Sequence, residues 1–69
     1  SNPEKLSRWT EFHEYVERLP EDERVLFDLL WYQALTLSQA AELIGKAERT
    51  LRRHWKMVRM NLYRDLMES

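Results

Sequence analysis

The stretch of residues 47–62 constrains the fold more than any other part of the chain. Its apolar residues recur at steps of four, three and four positions, and they are Leu51, Trp55, Val58 and Leu62. This spacing forms a single stripe along an α-helix. The cationic residues of the same stretch lie away from the stripe or along its edges. The pattern predicts a helix that is buried on one side and positively charged on the other.

The charge of the chain is divided between its two parts. The formal net charge of all 69 residues is −1 at pH 7. Residues 1–45 carry four basic and nine acidic side chains, a net charge of −5, whereas residues 46–69 carry seven basic and three acidic ones, a net charge of +4. Because a polyanion responds to the local potential, the cationic second part favours a phosphate-rich partner even at a low overall charge.

Helices are expected throughout, because the chain has one Gly, two Pro and no alternating β-branched run. We expect one domain over residues 1–69, in which residues 1–2 are interpreted as a remnant of tag removal. The predicted helices lie near residues 3–19, 20–33, 37–44 and 47–67. The predicted fold class is therefore all-α, with four helices.

Local signals give the helix ends. Pro20 ends the first helix and suits the first turn of the second. Thr36, followed three residues later by Gln39, indicates a capping box that opens the third helix. Gly45 is expected to adopt the left-handed conformation that ends the third helix.

Ala41, Gly45 and Leu51 have the spacing of a helix-turn-helix motif. A small residue lets the second helix cross the first, a glycine accepts the positive φ of the turn, and an apolar residue anchors the second helix. A helix with a cationic outer face follows the turn directly, as it does in proteins that place a recognition helix in DNA. The sequence therefore predicts a helix-turn-helix domain that binds double-stranded DNA.

The candidate DNA-contacting residues divide by chemistry. The planar fork of arginine can pair bidentately with guanine in the major groove, whereas lysine suits phosphate as a point charge. We expect four residues near the start of the fourth helix to face the groove, and they are Arg49, Arg52, Arg53 and Lys56.

Three further residues complete the predicted DNA-contacting set. Arg59 lies a turn or more further along, close to the apolar stripe, and is expected to meet a backbone phosphate or an internal acid. Lys46 and the amide groups that open the fourth helix are candidates to hold a phosphate. Thr50 is the third.

The second helix is apolar nearly all round. Its broad core face is predicted to consist of Val25, Leu26, Leu29 and Leu30. Phe27 and Trp31 share the other side, and two interpretations of them remain open. Either the first helix covers them, or they form a docking surface for a partner protein.

The composition argues against several other classes of function. The chain has no cysteine, and His13 has no second ligand at metal-binding spacing, so neither a disulfide nor a metal site is expected. No apolar run reaches the roughly 20 residues of a membrane span. No serine has a neighbouring base. We therefore expect no enzymatic activity, cofactor, small-molecule substrate or membrane partner, and a cytoplasmic location.

Residues 19–62 resemble region 4 of bacterial sigma factors, especially those of the extracytoplasmic-function group. The similar segments are LPEDERVLFDLLWY, LTLSQAAELIG and ERTLRRHWKMVRMNL. The resemblance implies a domain that reads the upstream promoter element while it docks on the β flap of the RNA polymerase core. An anti-sigma protein or the polymerase is the candidate partner if the chain is a protein-interaction module instead. The resemblance also implies that the promoter readers are Arg49, Arg52, Arg53 and Lys56.

The chain also departs from that family. Ala47 stands where the family commonly has the Ser or Thr that caps the recognition helix, a cap worth about 1 kcal/mol. Val58 precedes Arg59 where the family favours alanine, and His54 after Thr50 is closer to the DNA-binding domains of LuxR-type response regulators. Two alternatives therefore stay open: a LuxR-type domain, and a helical protein-interaction module that does not bind DNA.

Overall fold

The computed structural model describes residues 3–68, and this part of the chain is helical without any strand. The prediction of an all-α protein is confirmed, while the predicted tag remnant lies outside the described residues. The elements are α1 (Pro3–Glu17), α2 (Glu21–Phe27) continued by a π-helical turn (Asp28–Tyr32), α3 (Leu37–Ile44) and α4 (Glu48–Glu68). Within residues 3–68, no helix combines the length and apolar character needed to cross a bilayer.

The connection from α1 to α2 differs by a few residues from the prediction. Helix α1 ends at Glu17, two residues earlier than expected. Pro20 occupies the N-cap of α2 with φ −52° and ψ 152°, rather than a place in its first turn. Three carboxylates then fill that first turn, where the positive end of the helix dipole stabilises negative charge, and they are Glu21, Asp22 and Glu23.

The predicted ends of α3 are confirmed by its capping contacts. The hydroxyl of Thr36 accepts a hydrogen bond from the backbone N–H of Gln39 at 3.0 Å, and the Gln39 side chain accepts one from the Thr36 N–H at 2.9 Å. Gly45 follows α3 in the left-handed region with φ 80°, and its N–H donates to the carbonyl of Ala41 at 2.8 Å. A side-chain capping box therefore defines the start of this helix, and the left-handed backbone of Gly45 defines its end.

A π-helical turn at Asp28–Tyr32 replaces the regular helix predicted for this segment. The N–H of Gln33 donates to the carbonyl of Asp28 at 2.9 Å, and its side-chain amide donates to the Asp28 carboxylate at 2.8 Å. Ala34 then adopts a φ of 55°, which closes the turn. A π-helical hydrogen bond joins residues five apart instead of four, so each turn contains more residues than a turn of α-helix. The side chains of Trp31 and Tyr32 therefore leave the helix in directions that differ from those of a regular α-helix.

Helix α2 lies between two hydrophobic clusters. The α3-side cluster has a buried centre of Leu26, Ala40, Ala41 and Leu51. The α1-side cluster has a buried centre of Val16, Phe27 and Val58. Trp55 packs against both clusters, so it ties α4 to the two sides of α2.

The burial of Phe27 corrects one prediction. Phe27 is 0% exposed, and its ring centroid lies 5.6 Å from that of Phe12 on α1. Helix α1 therefore covers Phe27, as the first of the two interpretations required, whereas Trp31 on the same side stays 51% exposed. A partner protein cannot contact Phe27 in this fold, so its assignment as a partner-binding residue is wrong.

Candidate nucleic-acid interface

Helix α4 is anchored by its predicted apolar stripe. Leu51 and Val58 are 2% and 1% exposed, while Trp55 and Leu62 are partly buried against the clusters. The stripe is thus confirmed. The small buried residue Ala41 contributes to the same cluster as Leu51, as the predicted crossing of α3 and α4 requires.

The cationic residues of α4 lie on its solvent side. All five of its candidate cations are exposed, namely Arg49, Arg52, Arg53, Lys56 and Arg59. Lys46 in the preceding turn is also exposed, whereas Thr50 is half-buried beside the stripe. The fold therefore brings these cations together on and beside one helix face, within reach of a ligand.

Two of the candidate DNA-contacting arginines have side-chain partners on α4 itself. Nη2 of Arg52 donates to Oε1 of Glu48 at 2.9 Å, one helical turn away. The guanidinium carbon of Arg59 lies 5.6 Å from the centroid of the Trp55 ring. Arg59 thus makes a cation–π contact at the edge of the core, where an internal acid had been one of the two expected partners. Both contacts join residues four positions apart, a spacing that sequence reasoning could have used.

The turn before α4 uses some of its own amide groups. The N–H groups of Gly45 and Lys46 both donate to the carbonyl of Ala41, at 2.8 and 3.1 Å. The backbone N–H of Lys46 therefore has a partner within the turn, and its exposed ammonium group is the part left to contact a phosphate. Lys46 lines a small cavity together with His54, whose Nε2 lies 4.0 Å from a carboxylate oxygen of Asp22.

A second exposed surface lies where α1 meets the π-helical turn. Trp31 is 51% exposed, although its ring contacts Phe12 and Phe27 at centroid distances of 5.7 and 5.6 Å. It lines a cavity of about 370 Å³ with Trp9, Phe12 and Arg8. Trp9 is itself 56% exposed near the start of α1.

Polar contacts of His13 and Tyr15 also join α1 to the rest of the fold. His13 Nδ1 lies 2.9 Å from the Tyr32 hydroxyl, and its ring stacks between those of Trp9 and Tyr32. The hydroxyl of Tyr15 donates to Oδ2 of Asp65 at 2.8 Å. Burial, together with this hydrogen bond, raises the pKa of Tyr15 to about 12. Sequence reasoning missed both contacts, because they join distant segments.

No protein-family model matches the chain, and neither a curated protein nor a solved structure matches it significantly. Among the described residues, no group of three or more His, Asp and Glu side chains is arranged to hold a metal ion. The function is therefore argued from the geometry of α4 and its surroundings.

Proposed function

We propose that this protein binds double-stranded DNA sequence-specifically through α4, in the manner of region 4 of an alternative sigma factor. The observation that carries the proposal is the orientation of α4. Leu51 and Val58 are buried, while the arginines and lysine of its first three turns face solvent. A helix held in this way can enter a major groove without disturbing the core.

The arrangement of α3 and α4 supports this assignment of roles. Helix α3 has eight residues and is joined to α4 through the left-handed Gly45. Helix α4 has 21 residues and a length of about 31 Å, so its first turns can contact bases while later turns pass over the backbone. Arg49 and Arg53 supply guanidinium forks for guanine, and Lys46 a charge for phosphate.

Titration of labelled duplexes with the 69-residue chain tests the proposal. If four cations neutralise phosphates, log K should fall with log salt at a slope of about −3.6, which is about 150-fold between 50 and 200 mM. Arg53→Ala should relax the preference for particular bases, whereas Lys46→Ala should weaken binding to all sequences alike. Arg18→Ala is the matched control, since Arg18 lies on the loop after α1 and is 80% exposed.

Two results would count against DNA reading. One is binding without salt dependence. The other is equal binding of every sequence by wild type and by Arg53→Ala. The sigma-factor part of the proposal is tested separately, by mixing the chain with RNA polymerase core and with an isolated β flap. Promoter-dependent DNA binding without any binding to the flap would favour a LuxR-type domain instead.

A second candidate function is a protein-interaction module, with the polymerase or an anti-sigma protein as partner. The observation that favours it is the exposure of Trp9 and Trp31 around one cavity, between two helices whose sequences are rich in acidic residues. A chemical-shift map of the chain with duplex DNA separates the two functions. Shifts confined to α1 and α2 would favour the interaction module, and shifts along α4 would favour DNA binding.

A further inference from the structure

Glu48 is an unexpected residue on the cationic side of the chain. It is the single acidic residue between positions 46 and 64, a segment with seven basic residues. It is the first residue of α4, and its carboxylate receives the 2.9 Å hydrogen bond from Arg52. The side chains of Arg52 and Glu48 are 60% and 46% exposed. An acid at this place weakens attraction for a polyanion, so a benefit of another kind is required.

The pair retains free hydrogen-bonding capacity. A guanidinium group has five N–H donors and a carboxylate has two acceptor oxygens. The Arg52–Glu48 bond uses one donor from Nη2 and the oxygen Oε1. The pair can therefore offer further donors from Arg52 beside an acceptor oxygen from Glu48, at the start of α4.

One base pair matches that combination. In the major groove, guanine presents two acceptors, N7 and O6, and its partner cytosine presents the N4 amino donor. In a T·A pair, adenine presents the N6 amino donor where guanine presents the acceptor O6, and thymine presents the acceptor O4 where cytosine presents the N4 donor, so a guanidinium on N7 and O6 and a carboxylate on N4 would each meet a group of their own kind. A C·G pair therefore complements a guanidinium beside a carboxylate, and a T·A pair does not.

We propose that Glu48 and Arg52 read one C·G base pair together, an inference that rests on the proposed role of α4 in DNA binding. Arg52 donates to guanine, and Glu48 accepts from the N4 amino group of cytosine. Glu48 also fixes the direction of the Arg52 side chain before binding, which reduces the conformational entropy lost in the complex.

Helix stabilisation is the competing explanation of the pair. A glutamate in the first turn complements the helix dipole, and an arginine four residues later adds an ion pair. This role would change the stability of α4 and would leave the choice of bases unchanged. The decisive measurement is therefore base preference.

The experiment selects duplexes from a random pool with the 69-residue chain as wild type, Glu48→Gln and Glu14→Gln. Glutamine pairs bidentately with adenine N6 and N7, so Glu48→Gln is expected to prefer adenine where wild type prefers cytosine. In direct titrations, changing that C·G pair to T·A should weaken wild type about tenfold and Glu48→Gln by less than about threefold. Glu14→Gln is the matched control, because Glu14 at the end of α1 forms an exposed pair with Arg18, four residues further along the chain.

The outcomes separate the two proposals. A change of base preference at one position in Glu48→Gln alone supports the joint reading of C·G. If wild type selects a sequence and Glu48→Gln selects the same base at every position, the joint reading is overturned and the proposed DNA binding stands. If wild type selects no sequence at all, both proposals fail. Circular dichroism of all three chains verifies that folded proteins are compared.

Discussion

Replacing Phe27 with alanine is expected to remove much of the stability of the domain. Phe27 is fully buried, and its ring centroid lies within 5.3–5.9 Å of four other aromatic rings. They belong to Phe12, Trp31, Tyr32 and Trp55. The substitution would therefore leave a cavity where α1, α2 and α4 meet.

The magnitude follows from burial. Truncating a buried phenylalanine to alanine costs about 3–5 kcal/mol. A domain of 69 residues is expected to have a free energy of unfolding of about 3.5–10 kcal/mol, so Phe27→Ala removes a third of it or more. Trp31→Ala is expected to cost only about 1–2 kcal/mol, because the side chain is 51% exposed and already meets water.

Urea denaturation followed by far-UV circular dichroism measures both values. With a slope of about 1 kcal/mol per molar urea, the midpoint should fall by about 3 M or more for Phe27→Ala and by about 1–2 M for Trp31→Ala. Unfolding of Phe27→Ala at the wild-type midpoint would refute the assignment of Phe27 to the core. So would a larger loss for Trp31→Ala, because Trp31 would then be the buried ring of the pair.

Three further substitutions test individual contacts. Gly45→Ala is expected to lower the melting temperature by about 5–10 °C, because φ is 80° and no atom lies within 4 Å of the added Cβ, so only the left-handed backbone is penalised. An unchanged melting temperature would contradict that conformation. Thr36→Ala removes the hydroxyl that accepts from the Gln39 N–H, although the backbone N–H of residue 36 can still donate to the Gln39 side chain, and it should lower the urea midpoint by about 1 M, whereas Thr36→Ser should keep most of the stability. The pKa of Tyr15 in the folded protein is about 12, above the ordinary value of 10.0. The contribution of this shift to the free energy of unfolding is therefore complete below pH 10 and is lost as the pH rises through 12. Urea midpoints of wild type and Tyr15→Phe should therefore be compared at pH about 9 and about 11.5, and wild type should lose more stability over this range. Equal losses would show that the bond to Asp65 contributes nothing.

Features that depend on neighbouring residues in sequence were predictable. The capping box of Thr36 and Gln39, the left-handed Gly45 and the apolar stripe of α4 all follow from local spacing, and the structure contains each of them. The place of Pro20 relative to the start of α2 was predicted less accurately, because proline is compatible with both the N-cap and the first turn of a helix. One residue of uncertainty at that boundary changes no contact of the core.

The different environments of Phe27 and Trp31 could not be predicted from spacing. Four residues apart in a regular helix, they would share a face, and one description would apply to both. The π-helical turn begins at Asp28, directly after Phe27, so Trp31 leaves the helix on a shifted face. No local sequence motif predicts this turn. It ends with Ala34 in the left-handed conformation and with the hydrogen bond from the Gln33 side-chain amide to Asp28.

The direction of the α4 arginines follows from the two hydrophobic clusters. Trp55 packs in both clusters, while Leu51 belongs to one and Val58 to the other, so a rotation of α4 about its axis would remove apolar contacts on at least one side of α2. Core packing therefore holds the opposite face toward solvent, whatever the charges on it. The sequence could predict that face because the helical period relates it to the stripe. It could not predict from the stripe alone that Glu48 and Arg52 would pair there, since the stripe determines the face of a side chain and not its rotamer.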